Sequence, residues 1–482
     1  MDNYFDTIIV GAGAGGLYTA MCMPRTARIL VLCKREETVC NSHLAQGGIA
    51  GVYKPTDDDS TALHSEDTFI AGGFKNNPDS VRILVNEAAS EIENIINAGV
   101  DFDRDETGEY DRTLEGGHSR RRIFHHRDST GAEITRVIRE NVKSRDNITF
   151  MENALMCRIA HTDEGFALDI LKDDEHFTVT APYVVLATGG IGRVYDFTTN
   201  SAIATGDGIA AAYELGAEIK NLSLIQFHPT AYHDSSRECF LISESVRGEG
   251  AYLLNCNKER FMHNYDERLE LAPRDVVSKS IMLEARRTGS DDFYLDITRM
   301  DRDYLSNRFP MIFEFLLTQG IDMSKDLIPV FPCQHYLMGG INVDSDAMTG
   351  IAGLYAVGEC SHTGVHGNNR LASNSLLEAL VFGHRAANSI AEGLNEAHEP
   401  FSYTFVQPEG AVHIPTGIRT QIRHVMQQAY FVIPDKQKAI EGFEKVSDIK
   451  HDLETVNYII DRDYVEARSL ATAAYIILKE VI

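Results

Sequence analysis

The sequence predicts an α/β protein that carries an inserted α+β domain and a C-terminal helical domain, and three patterns predict it. Short apolar runs at residues 7–10, 28–33, 183–187 and 353–357 lack the alternation of a half-exposed strand, as expected for strands buried on both faces of a parallel sheet. From about residue 222 to 337 that pattern gives way to mixed polar and aromatic segments, with a helical stretch at 274–288. A linker-like stretch with three prolines, 400–415, then leads into helical segments at 421–430, 436–458 and 464–481. A chain of 482 residues exceeds what one core usually supports, so several domains are expected. They are read as 1–221 with 337–392, an insertion at 222–336, and 415–482.

The first run leads into Gly11-x-Gly13-x-x-Gly16, with Ala12, Ala14 and Gly15 between, and then into a helix at 15–23. Strand, glycine turn and helix in that order are the opening of a Rossmann-like dinucleotide-binding domain. Gly11 permits the tight turn, Gly13 lets a pyrophosphate approach the backbone, and Gly16 lets helix and strand pack closely. The acid that usually follows the second strand is missing. That strand ends Val31-Leu32-Cys33-Lys34, which leaves Lys34 or a backbone group for the ribose. Residues 46–52 are glycine-rich and apolar, a loop packed close to something. Residues 80–98, 207–215 and 375–392 read as helices, and 101–127 as a polar loop with clustered arginine and histidine.

With 71 acidic against 45 basic residues, the net charge of -26 argues against nucleic acid or an anionic membrane as partner. No apolar stretch is long enough for a membrane span, and no signal peptide opens the chain. The eight cysteines form no C-x-x-C pair, so neither a metal ribbon nor an iron–sulfur site is expected. Scattered thiols of this kind fit a reducing cytoplasm.

Several strings together resemble the flavoprotein family of fumarate reductase, succinate dehydrogenase and L-aspartate oxidase. They are Ala45-Gln46-Gly47-Gly48-Ile49-Ala50, Ala187-Thr188-Gly189-Gly190, Thr205-Gly206-Asp207-Gly208 and Gly358-Glu359, and the likeness covers residues 5–392. It implies FAD as cofactor, contacted by Ala12 to Gly15, Lys34, Asn41, Ser42, His43, Leu44, Ala45, Gln46, Gly47, Gly48, Asp207, Glu359, Ser375 and Leu376. Respiratory members bond the flavin covalently through a histidine five residues before the glutamine of A-Q-G-G. Here that position is Asn41, and His43 lies three before Gln46, so the resemblance implies a non-covalent flavin. It also implies a helical C-terminal region longer than this one.

The same resemblance assigns a substrate site. His228, His335 and Arg370 would hold substrate carboxylates, and Arg274 would donate or accept the proton. Arginine is an awkward proton carrier, since its ordinary pKa is above about 12. Ser243-Glu244-x-x-Arg247 offers Glu244 and Arg247 as a relay that eases it. Glu115, in Glu115-Gly116-Gly117-His118-Ser119-x-x-Arg122, separates members of the family. Its string resembles the aspartate-oxidising ones, in which a carboxylate faces the substrate's α-ammonium. The expected activity is FAD-dependent oxidation of L-aspartate to iminoaspartate with oxygen or fumarate as acceptor. It would open de novo NAD formation and make quinolinate synthase a partner. A soluble fumarate reductase or succinate dehydrogenase flavoprotein subunit is the alternative, and Asn41 and Glu115 speak against it. A non-catalytic FAD-binding module would not need the arginine–histidine set.

Overall fold

The computed structural model describes residues 3–54, 58–233, 239–396 and 398–482. Its centre is a five-stranded parallel sheet in the order Leu354–Ala356, Tyr183–Leu186, Thr7–Val10, Ile29–Leu32, Ile148–Met151. Four of these strands are the expected apolar runs. Their alternate side chains enter two different cores. Ile8, Val10, Leu30, Leu32, Val184 and Leu186 face one, and Ile9, Ile29, Val31, Val185 and Tyr355 face the other. Burial on both faces is why the runs carry no polar alternation.

Helices Ala14–Cys22, Pro78–Ala98, Thr130–Lys143 and Asn374–Gly393 cover one face. The other is covered by an antiparallel meander, Leu155–Thr162, Gly165–Lys172 and Glu175–Ala181, and by the C-terminal helices Ile418–Ala429, Lys436–Thr455 and Arg462–Val481. The meander and the helix Thr130–Lys143 were not expected from the sequence. The segments read there as loops also contain structure. Ile49–Ala50, Ile123–Phe124 and Arg112–Thr113 form a small antiparallel sheet. Its close packing explains Gly48, where a Cβ would lie 2.3 Å from the Phe124 carbonyl oxygen.

The segment between the strands Tyr183–Leu186 and Leu354–Ala356 builds a core of its own. Its four antiparallel strands run in the order Ile225–Tyr232, Ile328–Leu337, Tyr294–Asp296, Tyr252–Leu254. The helix Arg274–Thr288 supplies Val277 and Ile281 to that core, and the helices Arg302–Arg308 and Pro310–Thr318 supply Leu305, Ile312 and Leu316. Among the described residues, no helix is long and apolar enough to cross a membrane.

Helix starts show where the sequence leaves room for a ligand. Asn77, Asp301, Asp435 and Asp461 each cap a helix by accepting backbone N–H groups with a side-chain oxygen. The helix Ala14–Cys22 starts instead on Gly13, with no side-chain cap and no acid in its first turn. The Ala14 amide donates to Ser42 Oγ at 3.1 Å, and the positive dipole end of the helix still favours an anion.

Candidate active site

A cleft of about 470 Å³ runs along that uncapped helix start into the gap between sheet and insertion. Residues 11–15, Lys34, Asn41, Ser42, Leu44, Ala45, Gln46, Asp207, Glu359, Ser375 and Leu376 line it. The glycines act as expected from the motif. Gly11 has φ +119°, and a Cβ there would lie 2.1 Å from the Ala187 carbonyl oxygen. Gly16 lies behind the cleft, where a Cβ would meet the Gly11 oxygen at 2.0 Å. His43 is turned the other way, its Nδ1 3.2 Å from Thr135 Oγ1. Asn41 accepts from the Ser201 amide at 2.9 Å. Lys34 is already engaged, donating to Thr205 Oγ1 at 2.6 Å and Asp207 Oδ2 at 2.8 Å. Glu359 accepts from the Leu337 amide at 3.1 Å, and burial pushes its carboxyl up to about 7. A glycine cradle, a helix N-terminus that starts on glycine with no acid in its first turn, and polar groups along one wall fit a dinucleotide of the size and charge of FAD.

At the inner end of the cleft two arginines converge on one amide. Gln226 Oε1 accepts from Arg274 Nη1 at 2.9 Å and from Arg370 Nη2 at 3.2 Å. Arg370 also donates to Ser375 Oγ at 2.6 Å, lies 3.2 Å from His335 Nε2, and stacks over the Tyr336 ring. Burial, and then Arg274, push its guanidinium down to about 10, so it stays charged at neutral pH. His335 Nδ1 lies 2.7 Å from Thr199 Oγ1, and its ring stands 5.0 Å from that of His228. Burial and the Arg274 charge hold both histidines well below their ordinary range, so both are neutral. Among the described residues, the buried His228 Nε2 and Arg370 Nε have no hydrogen-bond partner. Buried polar atoms are rarely left unpaired, and an anion held here would satisfy them.

Glu244 stands between two arginines. One oxygen accepts from Arg274 Nε at 2.5 Å and the other lies 3.3 Å from Arg247 Nη2. Burial raises its carboxyl, but Arg274 and Arg247 outweigh burial and leave it below the usual range. Glu244 also presses on the Glu115 loop, where a Cβ on Gly116 would lie 2.1 Å from Glu244 Oε1. Glu115 is buried rather than solvated. Ser373 Oγ donates to it at 2.5 Å and Ser245 Oγ at 3.3 Å. Burial, and the Glu244 charge beside it, raise its carboxyl against the Ser373 hydrogen bond.

The loop is fixed from behind by Arg122, fully buried, whose guanidinium bonds Asp67, Asp59 Oδ1 at 2.8 Å and His118 Nδ1 at 3.1 Å. His118 Nε2 in turn lies 2.9 Å from the Ala372 carbonyl. Sequence reasoning missed Gln226 and Ser373 as site residues. Gln226 lies two positions before His228, so strand alternation places both on one face. Ser373 adopts φ +62°, and its hydroxyl also accepts from the Gly48 amide at 3.2 Å.

Comparison with known proteins places this geometry. The model of the FAD binding domain family matches residues 6–376. The L-aspartate oxidase of Clostridium perfringens is 47% identical over 393 residues, which cover 81% of this chain and 87% of that protein. The L-aspartate oxidase of Pseudomonas aeruginosa is 36% identical over 498 residues, covering 98% of this chain and 92% of that one. The chain belongs to the L-aspartate oxidase family. It is an FAD-dependent oxidoreductase of that family, as the glycine turn and the A-Q-G-G string led us to expect. Among solved structures, an E. coli quinol fumarate reductase chain superposes with TM-score 0.90 at 27% identity, covering 99% of this chain and 88% of that one. A Mycobacterium smegmatis Sdh1 complex superposes with TM-score 0.84 at 27% identity, covering 99% and 86%. Members of the L-aspartate oxidase family thus share one fold with respiratory dicarboxylate flavoproteins.

Proposed function

We propose that this chain oxidises L-aspartate to iminoaspartate at the inner end of the cleft, and that Glu115 is what selects an amino acid. The carrying observation is the juxtaposition of opposite charges there. Arg274, Arg370 and the neutral His228 and His335 supply donors for two carboxylates. Glu115 and its serine hydroxyls supply acceptors for one ammonium. Succinate has no amine that would compensate a buried carboxylate at that point.

FAD, held by residues 11–15, Lys34, Asn41, Ser42, Leu44, Ala45, Gln46, Asp207, Glu359, Ser375 and Leu376, supplies the two-electron acceptor when bound. Asn41, an amide, offers no imidazole for a covalent link. Arg370 and the two histidines fix the dicarboxylate. Glu115 fixes the amine and accepts its hydrogen bonds. Arg274 has Nε committed to Glu244 and Nη1 to Gln226, so Nη2 is the nitrogen to which we assign proton transfer. Glu244 continues that chain: it would take a proton from Arg274 Nε as Nη2 gains one, so the guanidinium keeps its charge, with Arg247 3.3 Å from the other Glu244 oxygen. The inserted segment 222–336 acts as a cap whose closure excludes water.

Oxygen or fumarate would take the two electrons from the reduced flavin, and fumarate suits the same donors because it is a dicarboxylate without an amine. The oxidation would be the first step of de novo NAD formation, and the unstable imine would then pass to quinolinate synthase. Such a role belongs in the cytoplasm.

Glu115→Gln tests the selection. It should lower kcat/KM for L-aspartate by about ten- to a hundredfold, the worth of one charge-assisted hydrogen bond, and leave fumarate reduction by the chemically reduced flavoprotein nearly unchanged. Equal losses in both reactions would remove Glu115 from amine recognition.

A further inference from the structure

The C-terminal helices reach the cofactor cleft through one buried glutamate. Glu466 lies on the helix Arg462–Val481 and its side chain is only 3% exposed. One of its oxygens stands 3.1 Å from Lys34 Nζ. The other accepts from Arg419, on the helix Ile418–Ala429, whose guanidinium also pairs with Asp463 at 2.7 Å. Arg462 adds a second tie, with both terminal nitrogens 3.4 Å from the Lys34 carbonyl oxygen. Lys34 closes the second strand of the parallel sheet and lines the cleft beside the glycine turn.

The geometry of the ammonium decides what Lys34 does. Its three donors can bond Thr205 Oγ1, Asp207 Oδ2 and, at 3.4 Å, the Ile203 carbonyl oxygen, and Glu466 Oε1 adds its charge at 3.1 Å. Asp207, itself a cleft residue, also accepts from Thr205 Oγ1 at 2.7 Å. So the lysine does not replace the missing ribose carboxylate as a free donor. It stands as a post between the cleft wall and the C-terminal helices.

We propose that Glu466 is a positioning residue for the cofactor. By holding Lys34, and through it Asp207, it couples docking of the C-terminal helices to retention of FAD. The coupling is reciprocal by linkage: whatever loosens Glu466 weakens FAD, and FAD tightens the helices onto the sheet. The proposal rests on Lys34 and Asp207 belonging to the FAD site.

FAD affinity of the apoprotein, titrated by the change in flavin fluorescence, tests it in Glu466→Gln, Lys34→Met and the double variant. Each single change should weaken FAD by about tenfold, and the double variant should be no weaker than the poorer single one, because both break one contact. Native affinity in E466Q, or losses that multiply in the double variant, would overturn the coupling. Native affinity in K34M would instead show that Lys34 is not part of the cofactor site, and the proposal would fall with that placement. A folding defect in E466Q does not remove the test. In the native protein, FAD should slow proteolytic release of the C-terminal helices at the 400–415 stretch several-fold, and release at the same rate with and without FAD would overturn the proposal.

Discussion

Charge at the substrate end is set by individual side chains rather than by the chain's overall acidity. The -26 net charge would repel a dicarboxylate at long range, yet Arg247, Arg274 and Arg370 are all buried around Glu244 and Gln226, where Arg370 lines the cleft. Burial, and then the Arg274 charge, keeps His228 and His335 neutral. Had either histidine been an imidazolium near neutrality, dicarboxylate affinity would fall as it lost its proton. With both shifted well down, the Kd of succinate, a dicarboxylate probe, should stay flat between about pH 6 and 8, measured by perturbation of the flavin spectrum. A loss of affinity through that window would mean that one of the pair is charged when ligand binds. Single residues also mark the limit of sequence reading. Glu115 stood out because of its string, and the string proved to be a mounting: Arg122 and His118 hold the loop from behind. Gln226 and Ser373 carried no such mark, because an amide and a serine become informative only when two guanidiniums or a carboxylate are seen against them.

At the scale of elements, legibility followed burial geometry. Strands buried on both faces have one reading, and the runs at 7–10, 28–33, 183–187 and 353–357 are all in the parallel sheet. The C-terminal helices also fall within a few residues of expectation. The meander at 155–181 was missed because its strands mix buried and half-exposed residues, which blurs both periods. The helix Thr130–Lys143 was missed although Ser129 stands at its start and Ile134, Val137, Ile138 and Val142 keep a helical spacing, because it follows directly on the polar stretch 101–127. The short strands around Ile49 and Ile123 are two residues long and exist only through tertiary pairing. That pairing depends on the Arg122 anchor next to Ile123. Arg122→Met would leave Asp59 and Asp67 buried without their cation, so it should cost about 3–5 kcal/mol in urea unfolding, part of it recovered when Asp67→Leu is added, since Asp59 stays unpaired. A loss below about 1 kcal/mol would show that the anchor is incidental.

Across the whole molecule, cofactor and fold are tied together at the cleft wall. Glu359 keeps its proton up to about pH 7, whereas in the unfolded chain it ionises near the ordinary carboxylate value of about 4.3. Between those values the folded apoprotein binds more protons than the unfolded one, so this group makes stability fall as pH rises through that window. Glu359→Gln should flatten that part of the stability-against-pH curve of the apoprotein, followed by thermal unfolding. An unchanged slope would mean that the carboxyl is already ionised in the fold.

The central claim joins the flavin cleft to an amino acid, and mixing FAD-loaded protein with L-aspartate in the absence of oxygen tests it directly. L-Aspartate should bleach the visible flavin band, and admitting oxygen or fumarate should restore it. Bleaching by succinate with none by L-aspartate would contradict the account and place the chain with the succinate-oxidising branch of its fold.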